Sequence, residues 1–116
     1  MADVTGFGLL GHLHELSLAS GVAAEVEATA VPAIEGALAL LADERAVAGG
    51  SRHNRRYAEE FAWFDDGVDE VLRRLVTDAM TSGGLLVAVD PGRAHELPGV
   101  VIGRLTPGEP GTITVV

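Results

Sequence analysis

The sequence predicts an α/β fold, in which a mixed sheet carries helices packed on one side. Three segments have apolar residues at helical spacing, and at least four short segments have the alternating or continuous apolar character of strands. The chain has 116 residues, of which 47% are hydrophobic, enough to bury one core. Glycines concentrate at turns and no linker interrupts the chain, so residues 1–116 are predicted to form a single domain.

The first third of the chain predicts a helix, a strand and a second helix. Apolar residues at helical spacing begin the pattern: Leu9, Leu13, Leu16 and Ala19. Gly21 stands where such a helix would end. Residues 22–30 alternate between apolar and polar character, as a half-buried strand does. A second helix follows Pro32 and is predicted to end by residue 45.

The middle of the chain predicts a loop and then a third helix. Residues 46–66 have no clear period, and a segment of that length without regular structure is typical of a binding loop. Asp65 or Asp66 is a candidate N-cap for a helix over residues 68–79, in which Arg73 and Arg74 lie toward the C-terminal half.

Three further strands are predicted in the last third. Residues 85–89 are continuously apolar, as in a central strand covered on both faces, and residues 100–102 predict another buried strand. Residues 112–116 predict a last strand that forms a hairpin with its predecessor. Only a short helix, over about 93–97, fits before Pro98.

Composition excludes several classes of function. A formal charge of −9 and a pI near 4.7 argue against a nucleic-acid surface, which needs a basic face. The chain has no cysteine, so these residues hold no disulfide, thiolate nucleophile or cysteine-ligated zinc. No apolar run approaches the roughly 20 residues of a membrane span, and no signal peptide is apparent. We therefore expect a soluble, cytoplasmic protein that does not contact a membrane.

A glycine-rich turn at the start of the chain is the main candidate site. Gly6 and Gly8 let a ligand approach the backbone, and the helix that follows offers unpaired N–H groups to an anion. Asp3 precedes the turn, where its carboxylate can ligate Mg²⁺ bridging phosphate oxygens. From these residues alone a plain structural turn remains the alternative. His12 and His14 are two positions apart, so on a helix they diverge and do not form a metal pair.

The segment after residue 50 leaves two interpretations open. Three arginines and a histidine surround Asn54, which indicates either an anion contact near phosphates or a solvated turn that neutralises nearby acids. Four aromatic residues follow: Tyr57, Phe61, Trp63 and Phe64. We interpret them as anchors that fasten the loop to the domain, or as part of a subunit or interdomain contact.

Three motifs resemble the C-terminal half of selenophosphate synthetase (selenide, water dikinase), in order and spacing over nearly the whole chain. They are Asp3-Val4-Thr5-Gly6-Phe7-Gly8-Leu9-Leu10-Gly11-His12, then Gly49-Gly50-Ser51 with Asn54, then Asp78 with Thr81-Ser82-Gly83-Gly84-Leu85-Leu86. Serine replaces the family's threonine at position 51. Ala79 and Met80 replace its proline and glutamine, and the segment over 90–99 is shorter than usual.

The resemblance implies the fold of the aminoimidazole ribonucleotide synthetase C-terminal domain. It also implies an enzyme that makes selenophosphate, AMP and phosphate from selenide, ATP and water, with Mg²⁺ neutralising the polyphosphate. By motif match, Asp3 is expected to bind the metal. The expected nucleotide contacts are Thr5, Gly6, Gly8, Asn54, Thr81 and Ser82.

The resemblance places the nucleophile elsewhere. The family's N-terminal half, with its cysteine or selenocysteine and its lysine, has no counterpart here, so this chain holds no catalytic residue and is not expected to turn over alone. The expected partners are that N-terminal domain and, in the full enzyme, a second subunit of a homodimer. The alternatives are a domain of another ATP-using enzyme of the superfamily, such as thiamine-monophosphate kinase, hydrogenase-maturation dehydratase or aminoimidazole ribonucleotide synthetase, or a binding or assembly module without chemistry.

Overall fold

A computed structural model describes residues 2–4, 8–32, 42–43, 49–78, 84–96 and 99–116. The helices are α1 (Gly8–Ser20), α2 (Gly49–Ala58) and α3 (Glu70–Val76). The strands are β1 (Ala2–Val4), β2 (Ala23–Val26), β3 (Ala62–Phe64), β4 (Gly84–Leu86), β5 (Gly103–Thr106) and β6 (Ile113–Val115). Short 3-10 helices lie at Ala28–Ala30 and Pro91–Glu96.

A mixed four-stranded sheet forms the centre of the described fold, in the order β3-β6-β2-β5. Strand β6 runs parallel to both of its neighbours, while β5 runs antiparallel to β2. β1 and β4 form a separate antiparallel pair. The predicted α/β fold class with a mixed sheet is thus confirmed.

One face of this sheet supports the core. The inward side chains of the two central strands are at most 3% exposed: Ala24, Val26, Ile113 and Val115. They pack with buried residues of all three helices, including Leu10, Ala58 and Val76. The opposite face carries the row Trp63, Thr114, Glu25 and Arg104, one residue from each strand. Trp63 is 59% exposed, so the described helices cover one face only.

The first helix is found where the sequence predicts it. α1 ends at Ser20, and Gly21 follows with a φ of +70°. The Gly21 N–H donates to the Leu18 carbonyl at 3.2 Å, and the Val22 N–H donates to the Ser17 carbonyl at 3.0 Å. These two bonds form a Schellman motif, which satisfies carbonyls that the helix end leaves open.

The prediction of a loop over residues 46–66 is wrong for residues 49–66, the part that the structure describes. α2 and β3 occupy most of it. The helix escapes a search for apolar periodicity because its inward positions include Asn54, which is 7% exposed, four residues before the buried Ala58. A polar residue at a core position removes the apolar signal on which such a search depends.

The predicted C-terminal hairpin is also wrong. β6 does not pair with β5 but inserts between β2 and β3. Both of its inward residues, Ile113 and Val115, are 0% exposed, so the central position buries the more apolar strand. The strand predicted at residues 100–102 is shifted to β5, and Val100 and Val101 are exposed.

Other predicted elements differ in extent. The strand predicted at 22–30 ends at residue 26 and passes into a 3-10 helix. The strand predicted at 85–89 as central is β4, which ends at Leu86 and, in the described chain, pairs with β1 alone. A 3-10 helix over Pro91–Glu96 stands near the predicted short helix. The helix predicted from Pro32 to residue 45 falls largely on residues 33–41 and 44–45, outside those described.

The third helix begins later than predicted. Asp69, rather than Asp65 or Asp66, occupies the N-cap position of α3, and its side chain makes no capping hydrogen bond. The main-chain carbonyl of Asp65 instead accepts from the Val68 N–H at 3.0 Å, which forms the turn before the helix. Arg73 and Arg74 lie in the last turn, as predicted.

Candidate functional site

The fold brings the first and third sequence motifs together through the small β-sheet. Asp3 of β1 stands opposite Leu85 of β4 in the antiparallel register. The two motifs are therefore adjacent in space although most of the chain separates them. Leu85 belongs to the run that follows Thr81 and Ser82, so the carboxylate-bearing residue lies on a strand next to the third motif.

Gly8, the first residue of α1, lies against the end of α3. Its φ is +76°, a conformation that residues with a side chain rarely adopt. A Cβ at this position would lie 3.0 Å from the carbonyl carbon of Thr77 and 3.1 Å from its Cα and oxygen. Both the backbone angle and the limited space thus favour glycine, and Gly8, the first residue of α1, packs directly on Thr77.

Asn54 brings the second motif to the same residue. Its Nδ2 donates to the Thr77 carbonyl at 3.3 Å, and the side chain is 7% exposed. Asn54 is predicted to contact nucleotide, and the structure shows that it also ties α2 to α3. Because Asp78 follows Thr77, all three motifs meet at or beside this residue.

Sequence reasoning missed Thr77, which is 2% exposed. Its hydroxyl donates to the Arg73 carbonyl at 3.0 Å, within its own helix. Gly8 and Asn54 therefore meet its main-chain atoms and not its hydroxyl. The one signal in the sequence is a hydroxyl-bearing residue at the end of an apolar helix, directly before the third motif.

The structure describes only one of the remaining predicted site residues. Asp3 lies in β1. Thr5, Gly6, Thr81 and Ser82 lie outside the described residues, so their roles stay predictions. Within the described ranges there is no group of three or more histidine or acidic side chains able to hold a metal ion. Mg²⁺ is commonly held by one or two carboxylates together with substrate phosphates, and the metal role of Asp3 stays a prediction.

The first turn of α1 is buried from Gly8 to Gly11, and the anion contact predicted there stays a prediction. The helix has 13 residues and no acidic residue in its first turn, so no side-chain carboxylate of that turn offsets its positive end. Its first N–H groups have no partner within the helix. A phosphate near Gly8 would meet both the partial charge and these donors.

The two histidines do not form a metal site among the described residues. The Nδ1 of His14 lies 2.7 Å from the Gly111 carbonyl oxygen, and because a carbonyl only accepts, Nδ1 carries the proton. The ring stacks on Phe61 with centroids 3.9 Å apart. His14 therefore joins α1 to the residues after α2 and to the turn before β6.

Arg55, one of the three arginines near Asn54, forms an ion pair with a carboxylate. Arg55 donates to both carboxylate oxygens of Glu70, at 2.7 and 3.2 Å. This hydrogen bond, together with the charges of Arg55, Arg74 and Arg73, lowers the pKa of Glu70 below its ordinary value against a smaller opposing effect of burial. Arg55 thus neutralises an acid, as one interpretation predicts, whereas Arg52, His53 and Arg56 are exposed and the anion contact stays a prediction for them.

The aromatic residues divide into two pairs. Phe61 is 6% exposed within the core, and Phe64 lies under the guanidinium groups of Arg55 and Arg73 at 5.2 and 5.3 Å from its ring centroid. These two serve as the predicted anchors. Tyr57 and Trp63 are 44% and 59% exposed, so the predicted subunit or interdomain contact stays open for them.

A sequence model of the family "AIR synthase related protein, C-terminal domain" matches residues 1–116, the full length of the chain. The chain belongs to this family. Curated relatives named "Selenide, water dikinase" cover most of it. The one from Caldanaerobacter subterraneus subsp. tengcongensis is 42% identical over 82% of this chain, and the one from Bordetella bronchiseptica is 46% identical over 83%. The one from Myxococcus xanthus is 36% identical over 96%. These relatives confirm the resemblance that the three motifs indicate.

The chain spans about a quarter to a third of the length of these relatives: 27% for the first two and 34% for the third. In the part that the structure describes, no helix has both the length and the apolar character that crossing a bilayer requires.

Proposed function

We propose that residues 1–116 are the C-terminal, ATP-binding domain of a selenide, water dikinase, the enzyme that makes selenophosphate from selenide and ATP. The observation that carries the proposal is the meeting of the three motifs at Thr77, through Gly8 and Asn54. Motifs that serve one ligand need to be adjacent in space, whereas unrelated turns do not. The selenide, water dikinase relatives support the choice of reaction.

In this proposal each motif has a separate task. Asp3 ligates Mg²⁺, which neutralises the polyphosphate when bound. Thr5, Gly6 and Gly8 let the phosphates approach the positive end of α1. Asn54 contacts the nucleotide from α2. Thr81 and Ser82, in the third motif, donate hydroxyl hydrogen bonds to it.

The nucleophile is proposed to come from an N-terminal domain of the full enzyme, which binds selenide and completes the nucleotide site. This chain alone binds Mg-ATP weakly and does not turn over, because positioning and charge stabilisation supply most of the catalysis of phosphoryl transfer. The full enzyme is proposed to be a cytoplasmic homodimer.

Calorimetry with Mg-ATP tests the proposal on the chain itself. Asp3→Ala removes the proposed metal ligand, and we expect affinity to fall about tenfold or more, since a charge-assisted contact contributes about 1.5 to 3 kcal/mol. Asp66→Ala is the matched control, because it removes the same charge from an exposed turn. Identical titrations for the unchanged chain and Asp3→Ala would refute the metal role.

A second candidate function is a binding or assembly module without chemistry. The exposed Trp63, on the uncovered face of the sheet, favours it. Calorimetry distinguishes the two candidates, because either one could self-associate through that face. A module of this kind should bind no Mg-ATP, whereas the proposed ATP-binding role predicts Mg-ATP binding that Trp63→Ser leaves unchanged.

A further inference from the structure

Two adjacent residues of α2 hold the two ends of α3. Asn54 donates to the carbonyl of Thr77, the C-cap residue, while Arg55 donates to Glu70, the first residue of the helix. The two attachment points are separated by the length of a short helix, roughly 10 Å at 1.5 Å per residue. Together they fix both the position and the direction of α3 relative to α2.

The Arg55 attachment is held on several sides. Its two bonds to Glu70 are the parallel pair that a planar guanidinium forms with a carboxylate. The guanidinium also lies over the Phe64 ring of β3 and within 3.6 Å of Glu59. Its side chain is 21% exposed, against 75% for Arg93 in the ion pair of the second 3-10 helix.

Glu70 is fixed in turn from within α3. Arg74, one helical turn later, lies 3.6 Å from the same carboxylate oxygen that Arg55 contacts at 2.7 Å. The carboxylate therefore bridges an arginine of α2 and an arginine of α3. The bond from Asn54 to Thr77 is longer, at 3.3 Å, so the Glu70 bridge is the tighter of the two attachments of α3 to α2.

We propose that Arg55 is a positioning residue for the candidate site: by holding Glu70, it keeps Thr77 where Gly8 and Asn54 meet it. This inference deepens the proposed function, because the third motif begins at the residue after Thr77. Arg55 acts through Glu70 and α3 and does not itself contact the nucleotide.

A simple surface ion pair would behave differently. Removing one changes overall stability slightly and leaves unchanged the side chains that neither partner adjoins or contacts. A positioning pair instead changes the environment of Asn54 while the fold remains intact. The side-chain NH₂ signals of Asn54 in a nitrogen–proton NMR spectrum report on that environment without any ligand.

The test compares Arg55→Gln, Glu70→Gln and the double variant with Arg104→Gln. The control also removes one positive charge and one arginine–glutamate pair, that of Arg104 with Glu25, but on the opposite edge of the sheet. Because Arg55 adjoins Asn54 in sequence, any Arg55 variant shifts the Asn54 signals, and the test therefore rests on Glu70→Gln. We expect the Asn54 signals to shift in Glu70→Gln and not in the control, with the double variant no further shifted than Arg55→Gln. Arg55→Lys, which keeps the charge but not the paired donors, serves in the titrations where Arg55→Gln does not fold.

Mg-ATP titrations of the same variants separate this inference from the proposed function. We expect about fivefold weaker binding in Arg55→Gln and Glu70→Gln and unchanged binding in Arg104→Gln. Asn54 signals in Glu70→Gln that match the control would overturn the inference, whatever the affinity. Asn54 signals that shift in Glu70→Gln, in a chain that binds no Mg-ATP, would support the positioning role and refute the proposed function.

Discussion

Replacing Gly8 by alanine tests the contact on which the candidate site depends. A Cβ there would meet three main-chain atoms of Thr77 at 3.0 to 3.1 Å, and backbone at the end of a helix cannot move aside as a flexible side chain can. The φ of +76° adds a second cost, because an L-residue in that conformation loses about 1 to 2 kcal/mol. Forced overpacking adds about 1 to 3 kcal/mol. The free energy of unfolding should therefore fall by about 2 to 5 kcal/mol.

The chain offers two controls that separate these costs. Gly21 has a similar φ of +70° but no atom within 4 Å of an added Cβ, so Gly21→Ala should show the conformational cost alone. Gly67 has neither a positive φ nor a neighbour within 4 Å, so Gly67→Ala should change stability little. Urea unfolding followed by circular dichroism measures all three. Equal losses in Gly8→Ala and Gly21→Ala would refute the packing of Gly8 on Thr77.

Two further predictions concern the core and the ion pair. Ile113→Ala, at a 0% exposed position of the central strand, should lower the unfolding free energy by about 2 to 5 kcal/mol in urea, and a loss under about 1 kcal/mol would contradict that central placement. Arg55 lowers the folded-state pKa of Glu70 below 4.5, so the pair's stabilisation is complete above that pH and is lost as pH falls through the lowered pKa. Glu70→Gln should remove part of this acid-side loss, measured by urea midpoints between about pH 3 and about pH 6; an unchanged pH profile would contradict it.

The sequence predicts secondary structure best where the spacing of apolar side chains matches the repeat of the helix or strand. The leucines of α1 and the glycine after it are sufficient to place that helix and its end. The regularly spaced apolar residues from Leu9 to Ala19 and a residue able to adopt a positive φ are local signals, and the structure confirms both the helix and its end. The mixed α/β class follows in the same way, because short apolar segments alternate with helical ones.

The errors arise where a long-range contact decides the structure. α2 has a buried amide at Asn54, and that position is satisfied by a carbonyl 23 residues away, which no local pattern reveals. β6 leaves its neighbour in sequence to pair with β2 and β3, because burial of Ile113 and Val115 favours the centre of the sheet. The short connection between β5 and β6 predicts a hairpin. In this sheet the apolar side chains of β6 instead favour a central position between β2 and β3.

The meeting point of the candidate site was hidden for a related reason. Gly8 and Asn54 both contact main-chain atoms of Thr77, and every residue type presents a carbonyl and a Cα. The chemical requirement therefore falls on the two partners: one must lack a Cβ, and the other must carry an amide of the right length. A motif records only positions whose side chains are constrained. Gly8 and Asn54 accordingly lie within recognisable motifs, while Thr77, the residue that joins them, lies one position before the third.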